Sequence, residues 1–420
     1  MSDRRIIITG MGALTALGLG VPALARGLRE GRVAIRAPQQ PALAGLPAAA
    51  ELEGFTLAEA LKSLPEGAGP LLEKARRLAQ RAPRPIECAT FSALEAWLDA
   101  GLHTAPVPAE RVGLIVAGSN LSLRLQHDTA KKFVANPEFI DPRYAMRFLD
   151  TDHVGVLSEV LGIRGEGFTV GGASASGNVA LLKAWQLLQL GEVDACLVVG
   201  PLADLSPMEL QALHHLGALS PGGGREADQV CRPFDAGRDG FVLGQGTACV
   251  VLEREDSARR RGAPLHAEFA GASLVLSASH SAAPDVAGEA AAMRGALARA
   301  GVAPEAVEYV NAHATASTAG DDAEVQALRE VFGGHLGQVW LNATKGLLGH
   351  CLFSAGVVEC IATVLQLREG FLHRNANLRE PLAQDCRFCG DAATAQSVGV
   401  ALSNSFGFGG INTSVVIRRS

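Results

Sequence analysis

Ser174 lies in Phe168-Thr-Val-Gly-Gly-Ala-Ser174-Ala-Ser-Gly-Asn178, where a short apolar run gives way to small residues and then to an apolar helical pattern. A side chain at such a strand-to-helix turn sits over free backbone N–H groups, where the helix dipole favours negative charge. That place suits a nucleophile or a developing oxyanion. The spacing is not the Gly-x-Ser-x-Gly elbow of α/β-hydrolases, because Ser176 takes the second glycine's position. A plain small-residue turn would have the same composition. Two further stretches place histidines beside turns after apolar runs: Tyr309-Val-Asn-Ala-His313-Ala-Thr315-Ala-Ser317 and Asn342-Ala-Thr-Lys345-Gly-Leu-Leu-Gly-His350. A fourth, Ser403-Asn-Ser-Phe-Gly-Phe408-Gly-Gly-Ile-Asn412, has glycines that let backbone approach a ligand closely. A serine, two histidines and a lysine in an apolar chain point to a buried small-molecule site.

Positioning them requires a large scaffold. The chain has 420 residues, of which 48% are apolar, enough for one large or two medium domains. Short apolar runs alternate with helical patterns, the mark of α/β layers. Strands are predicted at Arg5–Thr9, Val112–Ala117, Gly167–Val170, Ala195–Val199 and Ala248–Leu252. The second half repeats the rhythm at His266–Ala270, Val307–Asn311, Val339–Leu341, Ser397–Leu402 and Thr413–Ile417, with helices such as Asn178–Leu190 and Ala323–Phe332. Five strands in each half suggest a duplicated unit, dividing into 1–260 and 261–420. Residues 30–85 read as an irregular surface excursion.

Charge and composition narrow the function. A net charge of −6 argues against nucleic acid, which is met by clustered Lys and Arg. Residues 6–25 carry no charge, yet Ile6-Ile-Ile-Thr9 followed by Gly10 and Gly12 suits a buried strand turning into a helix better than an export helix. No other stretch approaches a membrane span. Thr15 stands where a dinucleotide fingerprint needs its third glycine. Eight scattered cysteines read as reduced thiols in a cytoplasmic setting, and Cys386-x-x-Cys389 lacks the second pair a metal site needs. The last predicted strand runs almost to the end of the chain, leaving no carrier or tethering tail.

At the same residues the chain resembles the β-ketoacyl-ACP synthases of fatty-acid and polyketide synthesis, in the thiolase superfamily. Arg232-Pro-Phe-Asp-Ala-Gly-Arg-Asp-Gly-Phe-Val-Leu-Gly-Gln-Gly246, Asn311-Ala-His313, Thr344-Lys345, Gly349-His350 and Asn404-Ser-Phe-Gly-Phe-Gly-Gly410 carry the likeness, in order, over Arg5 to Ile417. The resemblance implies a five-layered α-β-α-β-α fold of two similar halves, pairing as a homodimer through strand edges. It also implies that His313 and His350 hydrogen-bond a malonyl thioester carbonyl and stabilise its enolate. Lys345 supports them together with an acid, matched by Glu324. Thr315 and Ser317 stand where the family binds the phosphopantetheine arm. Phe408 is the gate, its backbone N–H joining that of Ser174 as an oxyanion hole. No metal or further cofactor is implied, since phosphopantetheine arrives on the acyl carrier protein.

One departure decides the expected function. The family's nucleophile is a cysteine at the position held here by Ser174. A thiol is readily ionised at a helix N-terminus, whereas a hydroxyl needs a dedicated base. With both histidines committed to the thioester, neither is free to serve Ser174, and Cys88 and Cys196 lie outside the motif. The pattern resembles decarboxylating ketosynthase homologues of polyketide β-branching cassettes. Those turn malonyl-ACP into acetyl-ACP for a partner resembling hydroxymethylglutaryl-CoA synthase. The alternatives are an acyltransferase using Ser174 as nucleophile, and a chain-length-factor partner of an active ketosynthase.

Overall fold

The computed structural model describes residues 4–420. The first half builds strands β1 (Ile6–Thr15), β2 (Val112–Ala117), β3 (Gly167–Val170), β4 (Ala195–Gly200) and β5 (Gly246–Arg254). β2 and β4 are buried at every position, as expected of strands covered on both faces. The second half supplies β6 (Ala267–Leu276), β7 (Tyr309–Asn311), β8 (Trp340–Asn342), β9 (Val400–Gly407) and β10 (Ile411–Arg418).

The two halves have the same topology. In space the first runs β3-β2-β4-β5-β1 and the second β8-β7-β9-β10-β6. Within the first, β2 pairs in parallel with β3 and β4, while β4–β5 and β5–β1 are antiparallel. Within the second, β7 pairs in parallel with β8 and β9, while β9–β10 and β10–β6 are antiparallel. The sheets join where Ile7 and Ile8 of β1 meet Glu268 and Ala267 of β6. No exact sequence repeat marks this duplication.

Helices fill the layers according to how apolar they are around their circumference. α3 (Ser176–Leu190) and α6 (Ala355–Glu369) form the middle layer; α6 is buried at every position from Ala355 to Leu367. A helix apolar all round has to be covered all round. Each of them touches strands of both halves. α1 (Arg84–Asp99) and α2 (Thr151–Leu161) cover the outer face of the first sheet. α4 (Val286–Ala300) covers β6 and β10 on the opposite outside, with α5 (Thr318–Phe332) packed beside it. The layer order is α-β-α-β-α, as the resemblance implies.

The structure corrects two expectations. β1 does not stop at Thr9; it continues through Gly10 and Gly12 to Thr15. Both glycines allow α1 to lie directly on the strand, since a Cβ at Gly10 would meet the Ala96 carbonyl oxygen at 2.2 Å and one at Gly12 the Ser92 carbonyl oxygen at 2.0 Å. Residues 30–85 are also less irregular than their composition suggests. They include a helix at Gly69–Ala79, and they place Leu52, Leu57, Leu61, Ala75 and Ala79 in the core beside α1 and α2. Among the described residues no helix is long and apolar enough to cross a membrane.

Candidate active site

Ser174 sits in the single helical turn Ala173–Ala175 between β3 and α3, above the α3 N-terminus. Ala173 carries a φ of 47°, so the turn is strained, and Ser176 holds it in place. The Ser176 hydroxyl accepts the Gly172 N–H at 2.9 Å and donates to the Ala173 carbonyl at 2.7 Å. From the other half, the Ser405 hydroxyl donates to the Ser174 carbonyl at 3.1 Å. Gly407 follows because nothing larger fits: a Cβ there would lie 2.4 Å from the Gly172 carbonyl oxygen.

The histidines arrive from two connections of the second half. His313 follows β7, and its N–H donates to Glu324 at 2.9 Å. His350 follows the Lys345–Leu348 turn, and the first half grips its backbone. Its N–H donates to the Val242 carbonyl at 2.7 Å, and its carbonyl accepts the Gly244 N–H at 3.0 Å. The two rings stand edge to face with centroids 5.7 Å apart, and Phe406 and Phe241 pack edge-on against His313 and His350. That separation lets both imidazoles address one oxygen placed between them.

His350 also touches the serine: Nε2 lies 2.8 Å from Ser174 Oγ. The Leu352 N–H donates to Nδ1 at 3.3 Å, which leaves the ring hydrogen on Nε2 in the neutral tautomer. In this arrangement His350 donates to the serine instead of taking its proton. Both rings are held well below the ordinary histidine pKa, chiefly by burial and next by the Lys345 charge. They are therefore neutral N–H donors at neutral pH.

The acid paired with Lys345 is not the expected one. Lys345 Nζ meets Glu359 of α6 at 2.5 Å, and both side chains are buried. Burial raises the Glu359 carboxyl to about 7, against the pull of Lys345. Glu324 instead receives the N–H groups of His313 and Ala314 and the Asn404 side-chain amide, at 2.8–3.1 Å. It fixes the loop that carries His313, and Lys345 acts on it only through its charge. Glu359 was visible in the sequence as the lone acid in the apolar run Ala355–Leu367, a buried charge that needs a partner.

Ser174, His313, His350, Thr315, Ser317, Phe406 and Phe408 all line one cavity of about 670 Å³. Phe408 is 44% exposed, whereas Phe406 is only 8% exposed. Thr315 donates to the Ser317 hydroxyl at 3.1 Å, and that hydroxyl caps α5 by accepting the Gly320 N–H at 3.2 Å. Among the described residues no cysteine lines this cavity. Cys351, next to His350, is buried, and its thiol is pushed up to about 12. Cys386 and Cys389 are free thiols, both raised to about 12 by burial.

Two family models match the chain: the beta-ketoacyl synthase N-terminal domain over residues 3–258 and the C-terminal domain over residues 266–379. The chain belongs to the beta-ketoacyl synthase family. The chain is 35% identical over 416 residues to the polyketide biosynthesis malonyl-ACP decarboxylase PksF of Bacillus subtilis (strain 168), covering 98% of this chain and 96% of that one. It is 34% identical over 425 residues to nodulation protein E of Rhizobium sp. (strain N33), covering 99% and 100%. A solved beta-ketoacyl synthase from Burkholderia phymatum STM815 superposes with a TM-score of 0.87 at 28% identity, covering 99% of this chain and all of that one. The layered architecture is thus the thiolase-type fold of the ketosynthases.

Proposed function

We propose that this ketosynthase homologue removes CO2 from malonyl held on an acyl carrier protein and leaves acetyl on the carrier, without condensation. The observation that carries the reading is the Ser174–His350 contact, in which the serine accepts a hydrogen bond and no base faces it. An alcohol is a poor nucleophile without such a base. His313 can instead donate to a thioester oxygen as it gains charge, and His350 joins it by turning its single N–H from Ser174 to that oxygen, which is where fixed donors lower a barrier most. Full-length similarity to a protein named as a malonyl-ACP decarboxylase supports the same reading.

In this scheme the phosphopantetheine arm enters past Phe408 and runs by Thr315 and Ser317, and the backbone N–H groups of Ser174 and Phe408 form an oxyanion hole. The scheme asks for no cofactor beyond the arm. The acetyl-carrier product would pass to an enzyme that adds it to a β-keto chain, as a hydroxymethylglutaryl-CoA synthase relative would. We also propose a homodimer in the cytoplasm. The edge strand β3 pairs with β2 alone, which leaves its other edge without a strand among the described residues.

The same 2.8 Å contact favours one rival. If the proton moved to Nδ1, His350 would become a base and Ser174 an acyl acceptor. Mass spectrometry of the protein and its carrier after mixing with malonyl-ACP separates the two. The decarboxylase reading expects acetyl-ACP and an unmodified protein. A stable acyl adduct on Ser174 would overturn it.

A further inference from the structure

The lining of the cavity includes a carboxyl that the scheme above does not use. Glu289, near the start of α4, lines the cavity shared by Ser174, His313 and His350 and is only 1% exposed. Its Oε2 is buried with no hydrogen-bond partner. A buried polar atom left unpaired costs free energy, and this one belongs to a residue of the cavity wall that no protein group satisfies. The position is tied to the histidine loop. One helical turn along α4, Met293 Sδ receives the Asn404 amide, and that amide also donates to Glu324, which holds the His313 N–H.

We propose that Glu289 is the acid that protonates the enolate carbon after CO2 has left, directly or through one cavity water. The inference rests on the decarboxylase reading and completes it, because that reaction needs a proton at C2, where ketosynthase condensation puts an acyl group. In the first step the bond between C2 and the carboxylate breaks, CO2 departs, and the electron pair remains as an enolate held by the two imidazole N–H donors. In the second the Glu289 O–H bond breaks and a C2–H bond forms. The Glu289 carboxylate then recovers a proton from water through the cavity mouth.

The surroundings keep this acid protonated. Burial raises the carboxyl to about 9, and the negative charges of Glu324, Asp285 and Asp321 add to the effect. Glu324 and Asp321 face it from α5, and Asp285 from the residue before α4. On β6 and β10 the charged Glu268 and Arg418 stand at the opposite end from Leu276 and Ile411, where α4 begins. The same cavity is lined by Glu209, Asp239, His313 and His350, and its lining includes no lysine or arginine.

The test uses Glu289→Gln, which keeps the shape of a neutral carboxyl, with Glu289→Asp as a second variant that keeps the acid. With malonyl-ACP as probe, E289Q should lower kcat for acetyl-ACP roughly 10²-fold, the scale of general acid catalysis. KM should hold, and the alkaline fall of kcat near pH 9 should vanish; E289D should restore part of the rate. Infrared difference spectra of wild type against E289Q at pH 7 should show a protonated carboxyl band, whatever the activity. Absence of that band overturns the proposal. Wild-type kcat and an unchanged alkaline limb in E289Q, with wild type forming acetyl-ACP, overturn the role of Glu289 alone. A wild type that forms no acetyl-ACP overturns the decarboxylase reading, and this role with it.

Discussion

In the proposed decarboxylation His313 and His350 would act as neutral donors, and that property separates them from Ser174. Replacing either with Ala removes a donor aimed at the developing oxyanion, and acetyl-ACP formation should fall roughly 10²–10³-fold. Ser174→Ala should cost far less, because its hydroxyl forms no bond in the reaction and its backbone N–H remains. Initial rates with malonyl-ACP check both, and equal losses in all three variants would make Ser174 an essential participant. The ion pair behind the histidines follows different rules. Lys345→Met strands the Glu359 carboxyl in the core, and Glu359→Gln strands the ammonium. Each single change should destabilise the fold by about 3–5 kcal/mol, with the double replacement K345M/E359L regaining most of it. Denaturant unfolding of the three variants is the measurement.

At the level of elements, the contact between α3 and α6 sets the distance between the turns that carry Ser174 and His350. The two helices cross at Gly177 and Gly356. A Cβ at Gly356 would meet the Asn178 backbone nitrogen at 2.7 Å, and one at Gly177 would meet the Val357 nitrogen at 2.8 Å. Two effects oppose each other when Gly356 becomes Ala. Helix propensity gains about 1 kcal/mol, while overpacking against rigid backbone costs about 1–3 kcal/mol and shifts the helix. We expect the clash to win, with net destabilisation and a loss of activity larger than the loss of stability, as His350 moves from Ser174. Unfolding curves that show G356A equal to or more stable than wild type would refute this reading of the crossing.

At the scale of the molecule, burial of ionisable groups governs how stability changes with pH. His153 and His373 are buried and held down to about 4 by desolvation, and both ring nitrogens of His153 lack partners. The unfolded chain takes up their protons near 6.5, whereas the folded chain does so only near 4. Their contribution is thus complete above pH 6.5 and is lost as pH falls toward 4. Glu95, Asp321 and Glu359, raised to about 7, act in the opposite sense, since stability falls as pH rises from the ordinary carboxylate range to 7. His153→Leu isolates one histidine. Relative to wild type it should gain about 2–3 kcal/mol on going from pH 7 to pH 4.5, read from unfolding curves at the two pH values. The segment from Leu123 to Leu149 bears on assembly. Its helix Leu123–Ala135 buries no residue, and Phe139 is 80% exposed, with Phe133, Val134 and Met146 exposed beside it. Exposed apolar side chains gathered along one segment suit the interface of the proposed homodimer. Light scattering should show a dimer for wild type and a smaller species for Phe139→Asp.

Much of this was legible in the residues themselves. Short apolar runs locate all ten principal strands, most plainly β2 and β4, which are buried at every position and apolar throughout. The four small-residue turns mark where those strands deliver Ser174, His313, His350 and Phe408, since close backbone approach and positive φ leave few alternatives to small residues. What stayed hidden depends on contacts between distant segments. That β1 runs on through Gly10 and Gly12 depends on the α1 backbone at Ser92 and Ala96, far along the chain. Lys345 pairs with Glu359 and not Glu324 because α6 is threaded between the two sheets, a placement no local pattern records. The Ser174–His350 contact, and the tautomer that makes the serine an acceptor, likewise exist only once α3 and α6 cross. Local sequence determines which groups are available and which turns hold them. Long-range packing decides which of those groups share a low-dielectric cavity, and hence which remain charged and which can carry a proton.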